Sequence, residues 1–258
     1  MSPILPGLET TELFGVRLDV GDAGQAVEQV LAAARTRQGG LVCVANVDML
    51  TRAKHMPRLL AVMRGASAVV TDGMPLVWAL RRLQGRRNAA RVYGPGLVLS
   101  LCERAAQEGL GVYFYGGTPE ETRLLRQALL QRWPALRIAG IVSPPMLPAE
   151  PGPDAAAIEA INTSGAHLLF VGLGCPKQEL WMAAQQPRLQ PVALGVGLAF
   201  ALIAGTKSQA PAWMRNAGLE WFYRLCQEPG RLWKRYLVGN SRFIGYCLRE
   251  WLRIALKP

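Results

Sequence analysis

The chain has 258 residues, half of them apolar, which supplies a full core and excludes a disordered polypeptide. Its 29 Lys/Arg against 18 Asp/Glu give a formal net charge of +11, a balance that suits nucleic acid, an anionic membrane or phosphorylated ligands. Five scattered cysteines without a C-x-x-C pair exclude a disulfide scaffold and read as a reduced, cytosolic chain, and the lack of any run of about 20 uncharged apolar residues excludes a transmembrane helix.

The first residues, Met1 to Glu9, lack a basic stretch followed by an apolar one, so no signal peptide is expected. Residues 10–20 predict a short β-hairpin, and Asp22 then caps a helix running through Ala34. The apolar run 41–47 predicts a buried strand, followed by one helix near 49–64 with Leu50, Leu59, Leu60 and Met63 on its inner face. A strand at 67–71 leads to a helix that opens at Pro75 and stops near Gly85. Arg86–Arg91 is a basic loop, and Gly94-Pro95-Gly96 introduces a helix to about Gln107. Gly111–Tyr115 is a strand. Thr118 with Glu121 three residues on is a capping-box pattern for a helix ending at Arg132. Strand 137–142, a proline-rich loop at 143–153, helix 154–163, strand 167–173, helix 177–186 and strand 192–196 complete the series. Strands alternating with helices predict an α/β fold with a Rossmann-like parallel sheet flanked by helices.

The pattern changes after Gly205. Residues 206–258 hold ten Lys/Arg and three Asp/Glu, interleaved with Trp213, Trp221, Phe222, Tyr223, Trp233, Tyr236, Phe243, Tyr246 and Trp251. The expected division is therefore a catalytic domain at 1–206 and a basic, aromatic-rich helical appendage at 207–258. Three readings of the appendage remain open: docking on an anionic membrane surface, ordinary packing on the core, and base stacking on nucleic acid. The near-helical spacing of the aromatics ranks nucleic acid last.

Three apolar strands end abruptly at polar residues and glycines: 41–45 before Asn46, 68–71 before Asp72-Gly73, and 168–171 before Gly172-Leu173-Gly174-Cys175-Pro176-Lys177-Gln178-Glu179. Ligands of parallel α/β sheets bind at such carboxyl ends, so Asn46, Asp72 and Gln178 are expected in one composite pocket. Asp72 is a general base in a partly desolvated cleft, or the cap of the helix at Pro75. Asn46 offers an amide for a sugar hydroxyl, or closes a turn. Gly172 and Gly174 permit close backbone approach, and helix amides with Lys177 suit a phosphate. Arg91 either grips a diphosphate or is a solvated loop residue. Gly116-Gly117 reads as a structural turn, because Glu120 and Glu121 already satisfy the next helix's dipole. His55 and His167 have no metal-like companions, and Ser67 and Ser100 lack a nucleophile-elbow setting.

Several ordered segments resemble the WecG/TagA/CpsF glycosyltransferases. They are V-A-N-V-D-M-L (44–50), T-D-G-M-P (71–75), R-V-Y-G-P (91–95), Y-F-Y-G-G (113–117), V-G-L-G-C-P-K-Q-E (171–179), G-V-G-L-A-F (195–200), A-P-x-W-M-R (210–215), L-E-W-F-Y-R-L (219–225) and E-P-G-R-L-W-K-R-Y (228–236). The resemblance implies an inverting, metal-independent transfer of a hexosyl or N-acetylmannosaminyl group from a UDP-sugar to a polyprenyl-diphosphate-linked acceptor, with no cofactor. It implies work for cell-surface polysaccharides at the inner face of the cytoplasmic membrane, with self-association as an option.

Carried over by position, the resemblance implies Asp72 as the base and Arg91 as a charge-stabilising residue. Asn46, Gln178 and the glycines Gly195 and Gly197 fall at the substrate site. Arg224, Arg231, Lys234 and Arg235 are implied as appendage cations for the diphosphate and the membrane. Val44, Gly96 and Ala201 depart from Thr, Asp and Asp common in that pattern, which leaves the donor sugar open. The competing class is a non-catalytic module binding a nucleotide or anionic lipid. A nicotinamide dehydrogenase is disfavoured because no Gly-x-Gly-x-x-Gly follows an early strand.

Overall fold

The computed structural model describes residues 7–256. Residues 1–6, part of the stretch read above for a leader, and 257–258, the end of the expected appendage, lie outside them. Strands β1 (Glu9–Leu13) and β2 (Val16–Val20) pair antiparallel across Phe14-Gly15. Both turn residues have positive φ, 55° and 83°, the handedness that a two-residue hairpin needs to match strand twist. Helix α1 (Ala23–Thr36) opens with a capping box: the Asp22 carboxylate accepts the Gln25 N–H, and the Gln25 side chain accepts the Asp22 N–H.

Strand β3 (Gly40–Ala45) is followed by two helices, α2 (Val47–Ala53) and α3 (Pro57–Gly65), where one was expected. The residue before a proline avoids the helical region, and Met56 sits at φ −129°, ψ 89°, so the helix breaks there. Next come β4 (Ala68–Thr71), α4 (Met74–Leu83), α5 (Gly94–Glu108), β5 (Gly111–Gly116), α6 (Pro119–Arg132), β6 (Ile138–Val142), α7 (Ala155–Thr163), β7 (Ala166–Gly172), α8 (Lys177–Gln185), β8 (Val192–Gly195) and α9 (Ala199–Ile203). The Thr118–Glu121 capping box opens α6 as the pattern predicted. Helices α10 (Ala212–Asn216), α11 (Glu220–Gln227) and the 27-residue α12 (Pro229–Ala255) follow.

Among the described residues, eight strands form one sheet in the order β1-β2-β4-β3-β8-β7-β5-β6, parallel except at β1. The fold is α/β and Rossmann-like. Strands β3, β4, β5 and β8 are buried along their whole length, because helices cover both faces; continuous apolar runs rather than alternation are the sequence sign of such strands. Buried residues of α2, α3, α4, α7 and α8 share one core, and those of α1, α5, α6 and α9 the other.

Helix α12 buries Leu232, Tyr236 and Phe243. Phe243 belongs to the first of these cores and meets Phe14 edge to face at 5.8 Å. Burying a large apolar side chain contributes about 1.5–3 kcal/mol, so Phe243 helps to hold α12 on the α2–α4 side of the sheet. The expected division at 206/207 falls between α9 and α10. No helix among the described residues is long and apolar enough to cross a membrane.

Candidate active site

The parallel register brings two of the polar strand ends together. Ala45 of β3 pairs with Thr71 of β4, so Asn46 and Asp72 leave neighbouring strands side by side, and the Asp72 N–H donates to Ala45 O at 2.6 Å. Asn46 serves as the N-cap of α2, its Oδ1 accepting the Met49 N–H at 3.1 Å. The turn-closing role is thus real, and Asn46 also lines the cavity. Asp72 does not cap α4. That helix starts from Gly73 without a side-chain cap, and the Asp72 carboxylate turns instead to the loop before α5. There Oδ1 accepts from Arg91 Nε at 2.8 Å and Oδ2 from the Gly94 N–H at 3.5 Å.

Arg91 is no solvated loop residue: its side chain is 15% exposed and bridges two carboxylates. Its Nη2 donates to Glu220 Oε2 of α11 at 2.6 Å, and its guanidinium lies 4.3 Å from the Tyr93 ring centroid. Arg215 stands over the same ring at 5.3 Å, and the Tyr93 hydroxyl accepts from Gln209 Nε2 at 2.6 Å. Burial pushes the Asp72 carboxyl above the usual carboxylate range and the Glu220 charge adds to the rise, against the pull of Arg91 and of the Gly94 N–H.

These groups line a cavity of about 120 Å³ at the carboxyl edge of the sheet, roofed by the appendage. Its charged lining is Asp48, Asp72 and Glu220 against Arg91, Arg215, Arg224 and Arg235. Asp48 ties α2 to α12 through Arg235 at 2.8 Å, and also holds Arg52 at 2.9 Å. Trp221 and Tyr236 supply apolar wall. Carboxylate and cations facing one small volume can take a proton from a hydroxyl and offset a developing negative charge beside it.

The other expected site residues stand elsewhere. Gln178 is buried and fully engaged: its Oε1 accepts the N–H of Gly174 at 3.1 Å and of Gly197 at 3.0 Å, and its Nε2 donates to Glu179 Oε1 at 2.7 Å. It clasps the loops after β7 and β8, and the expectation that it shares a pocket with Asn46 and Asp72 is not met by this geometry. Lys177 donates to Leu147 O at 2.7 Å, away from the cavity. Gly172 and Gly195 are required by packing, since a Cβ would lie 2.7 Å from the Phe200 ring and 2.9 Å from the Gln178 amide respectively. Arg231 is exposed and pairs with Glu228, while Lys234 lines an adjoining groove with Arg52 and Arg242, on the far side of Asp48 and Arg235. Of the four appendage cations, Arg224 and Arg235 reach the cavity. Val44, Gly96 and Ala201 stand outside its lining.

Glu220, Asp48, Arg215 and Tyr93 were not singled out from the sequence. For Glu220 a signal existed: it is one of three acids in a strongly basic segment. Within the described residues, no group of three or more His, Cys, Asp or Glu is arranged to hold a metal ion. His55 pairs with Tyr246 at 2.8 Å, and His167 accepts the Gly111 N–H at 3.1 Å.

Residues 11–257 match the sequence model of the Glycosyl transferase WecG/TagA/CpsF family. The match runs from the first hairpin through α12 and so takes in the sheet, the Asp72–Arg91 pair and the helices that roof the cavity. On that extent of agreement, the protein belongs to this glycosyltransferase family.

Proposed function

We propose that the protein is an inverting glycosyltransferase that moves a sugar from a UDP-sugar to a polyprenyl-diphosphate-linked saccharide, for bacterial cell-surface polysaccharide. The observation that carries the reading is the desolvated Asp72 carboxylate at a strand end, facing a cavity with four arginines. In this mechanism Asp72 accepts the proton of the acceptor hydroxyl as that oxygen attacks the anomeric carbon. The bond to UDP breaks on the opposite face, and the configuration inverts. Arg91, Arg224 and Arg235 offset the charge arriving on the diphosphate, work that a metal ion does in many transferases.

The outer face of α12 supports a peripheral position on an anionic membrane. Trp233, Leu237, Ile244, Leu248 and Trp251 follow one another at helical spacing and are half or more exposed, with Arg231, Lys234, Arg242 and Arg249 around them. Aromatic rings at headgroup depth and cations on lipid phosphates are the usual partners of such a face. On this reading residues 1–206 carry the base, and 207–258 add Arg224 and Arg235 to the cavity and bring it to a lipid-bound acceptor.

The test is UDP release from a panel of UDP-sugars, with and without a short-chain polyprenyl-diphosphate-sugar and without added metal. Acceptor-dependent release with one donor is the expected result. UDP binding with no release from any pair would replace the proposal by a non-catalytic nucleotide-binding module.

A further inference from the structure

The cavity holds two carboxylates that the transfer mechanism does not use: Asp48, which pairs with Arg235 and Arg52, and Glu220. Glu220 stands in the first turn of α11, and its partner is the same guanidinium that holds Asp72. Arg91 thus spans the two parts of the chain: Nε to Asp72 at 2.8 Å, Nη2 to Glu220 at 2.6 Å, with Nη1 at 3.5 Å from Arg215 O of α10. Stacking on Tyr93 fixes the plane of the guanidinium, so both contacts are made by one rigid fork.

We propose that Glu220 is a positioning residue for the transfer reaction: by holding the far end of Arg91 it keeps Asp72 the stronger base, so that the base is at full strength only while α11 lies over the sheet edge. This rests on the reading of Asp72 as the base.

The physical reason lies in the geometry of arginine. A guanidinium with one carboxylate partner engages it through two parallel N–H bonds and holds it as a tight ion pair. Here the second N–H is taken by Glu220, and Asp72 receives a single bond from Arg91. The positive charge is shared between two acids, and Asp72 keeps more of its affinity for a proton. Removing the Glu220 charge acts in one direction: it takes away a like charge that raises the Asp72 pKa and releases Arg91 to lower it. The other charged or titratable groups around Asp72 are Arg215 of α10, Arg224 of α11, Arg235 and Tyr236 of α12, Asp48 of α2 and Tyr93 before α5; the Glu220 charge also raises the two tyrosine hydroxyls, which titrate on the alkaline side and leave the acid-side midpoint to Asp72.

The experiment is the pH dependence of transfer by wild type, Glu220→Gln and Glu220→Asp. In Glu220→Gln the acid-side midpoint of kcat/KM should fall by about one pH unit. Its plateau kcat should drop several-fold while the donor KM moves less, because a weaker base slows chemistry rather than binding. Glu220→Asp, with its carboxylate drawn back by one methylene, should return the midpoint most of the way. A Glu220 that served packing alone would lower the amplitude of the profile and leave the midpoint in place, and that result would overturn the proposal. The ¹³Cγ shift of Asp72, assigned with Asp72→Asn, can be titrated without turnover. If wild type transfers no sugar, the functional reading fails, yet this titration still decides the inference. A lower Asp72 midpoint in Glu220→Gln supports it, and coincident curves overturn it. Should Glu220→Gln not fold, the Glu220→Asp titration must show a smaller shift in the same direction, and no shift overturns the proposal.

Discussion

Replacing Glu179 by glutamine should change how stability depends on pH, by an amount the structure fixes. Glu179 lies in α8 at 0% exposure. One carboxylate oxygen accepts from Gln178, and Oε2 has no hydrogen-bond partner. Burial raises its pKa from an ordinary 4.5 to about 7, partly opposed by the Gln178 amide. A folded-state pKa above the unfolded one means that the native protein binds the proton more tightly. The contribution to stability is therefore greatest below 4.5, declines as pH rises toward about 7, and stays low above. At about 1.4 kcal/mol per pH unit, that interval corresponds to a loss of about 3 kcal/mol. Glutamine keeps the volume and the acceptor for Gln178 but carries no charge. Urea unfolding followed by tryptophan fluorescence should find wild type and Glu179→Gln alike near about pH 4, and the variant more stable by about 3 kcal/mol near about pH 8. A difference between the two proteins that stays constant across that range would mean that Glu179 does not titrate between the folded and unfolded values.

Two further outcomes follow from packing and from the appendage face. At Gly116, φ is +128° and a Cβ would lie 2.6 Å from the backbone of Gly172, so Gly116→Ala should cost about 3 kcal/mol. At Gly65 nothing lies within 4 Å of an added Cβ, and Gly65→Ala should gain about 0.5 kcal/mol; equal urea midpoints for the two variants would contradict this account of the sheet. Replacing exposed Trp233 and Trp251 by glutamine should weaken binding to anionic vesicles by at least about tenfold, and added salt should weaken what remains. Unchanged vesicle binding would remove the α12 face from membrane contact.

The sheet was legible because its strands are covered on both sides. Leu41–Ala45 and Leu168–Val171 are uninterrupted apolar runs that stop at polar residues, and that is how a buried parallel strand reads. The caps at Asp22 and Thr118 were legible because their partners lie three residues away. The break between α2 and α3 was not, since Leu50, Leu59, Leu60 and Met63 carry an apolar pattern across Pro57 that hides the local constraint. Within the site, strand-end position singled out Asp72 and Asn46, and the family resemblance added Arg91, Arg224 and Arg235. The clasp made by Gln178 depends on its rotamer, which a Gly-x-Gly-x-Pro string does not encode. Glu220 reaches Arg91 across 129 residues, a pairing created only when α11 folds over the sheet edge. Sequence spacing carries no sign of it.

Whether Asp72 takes the acceptor proton is decided by acceptor-dependent UDP release from wild type and Asp72→Asn side by side, with circular dichroism to compare their folds. Asp72→Asn should fold as wild type does and turn over roughly 10²–10⁴ more slowly, the range for loss of a general base. Turnover by Asp72→Asn equal to wild type would contradict the role of Asp72 as the base.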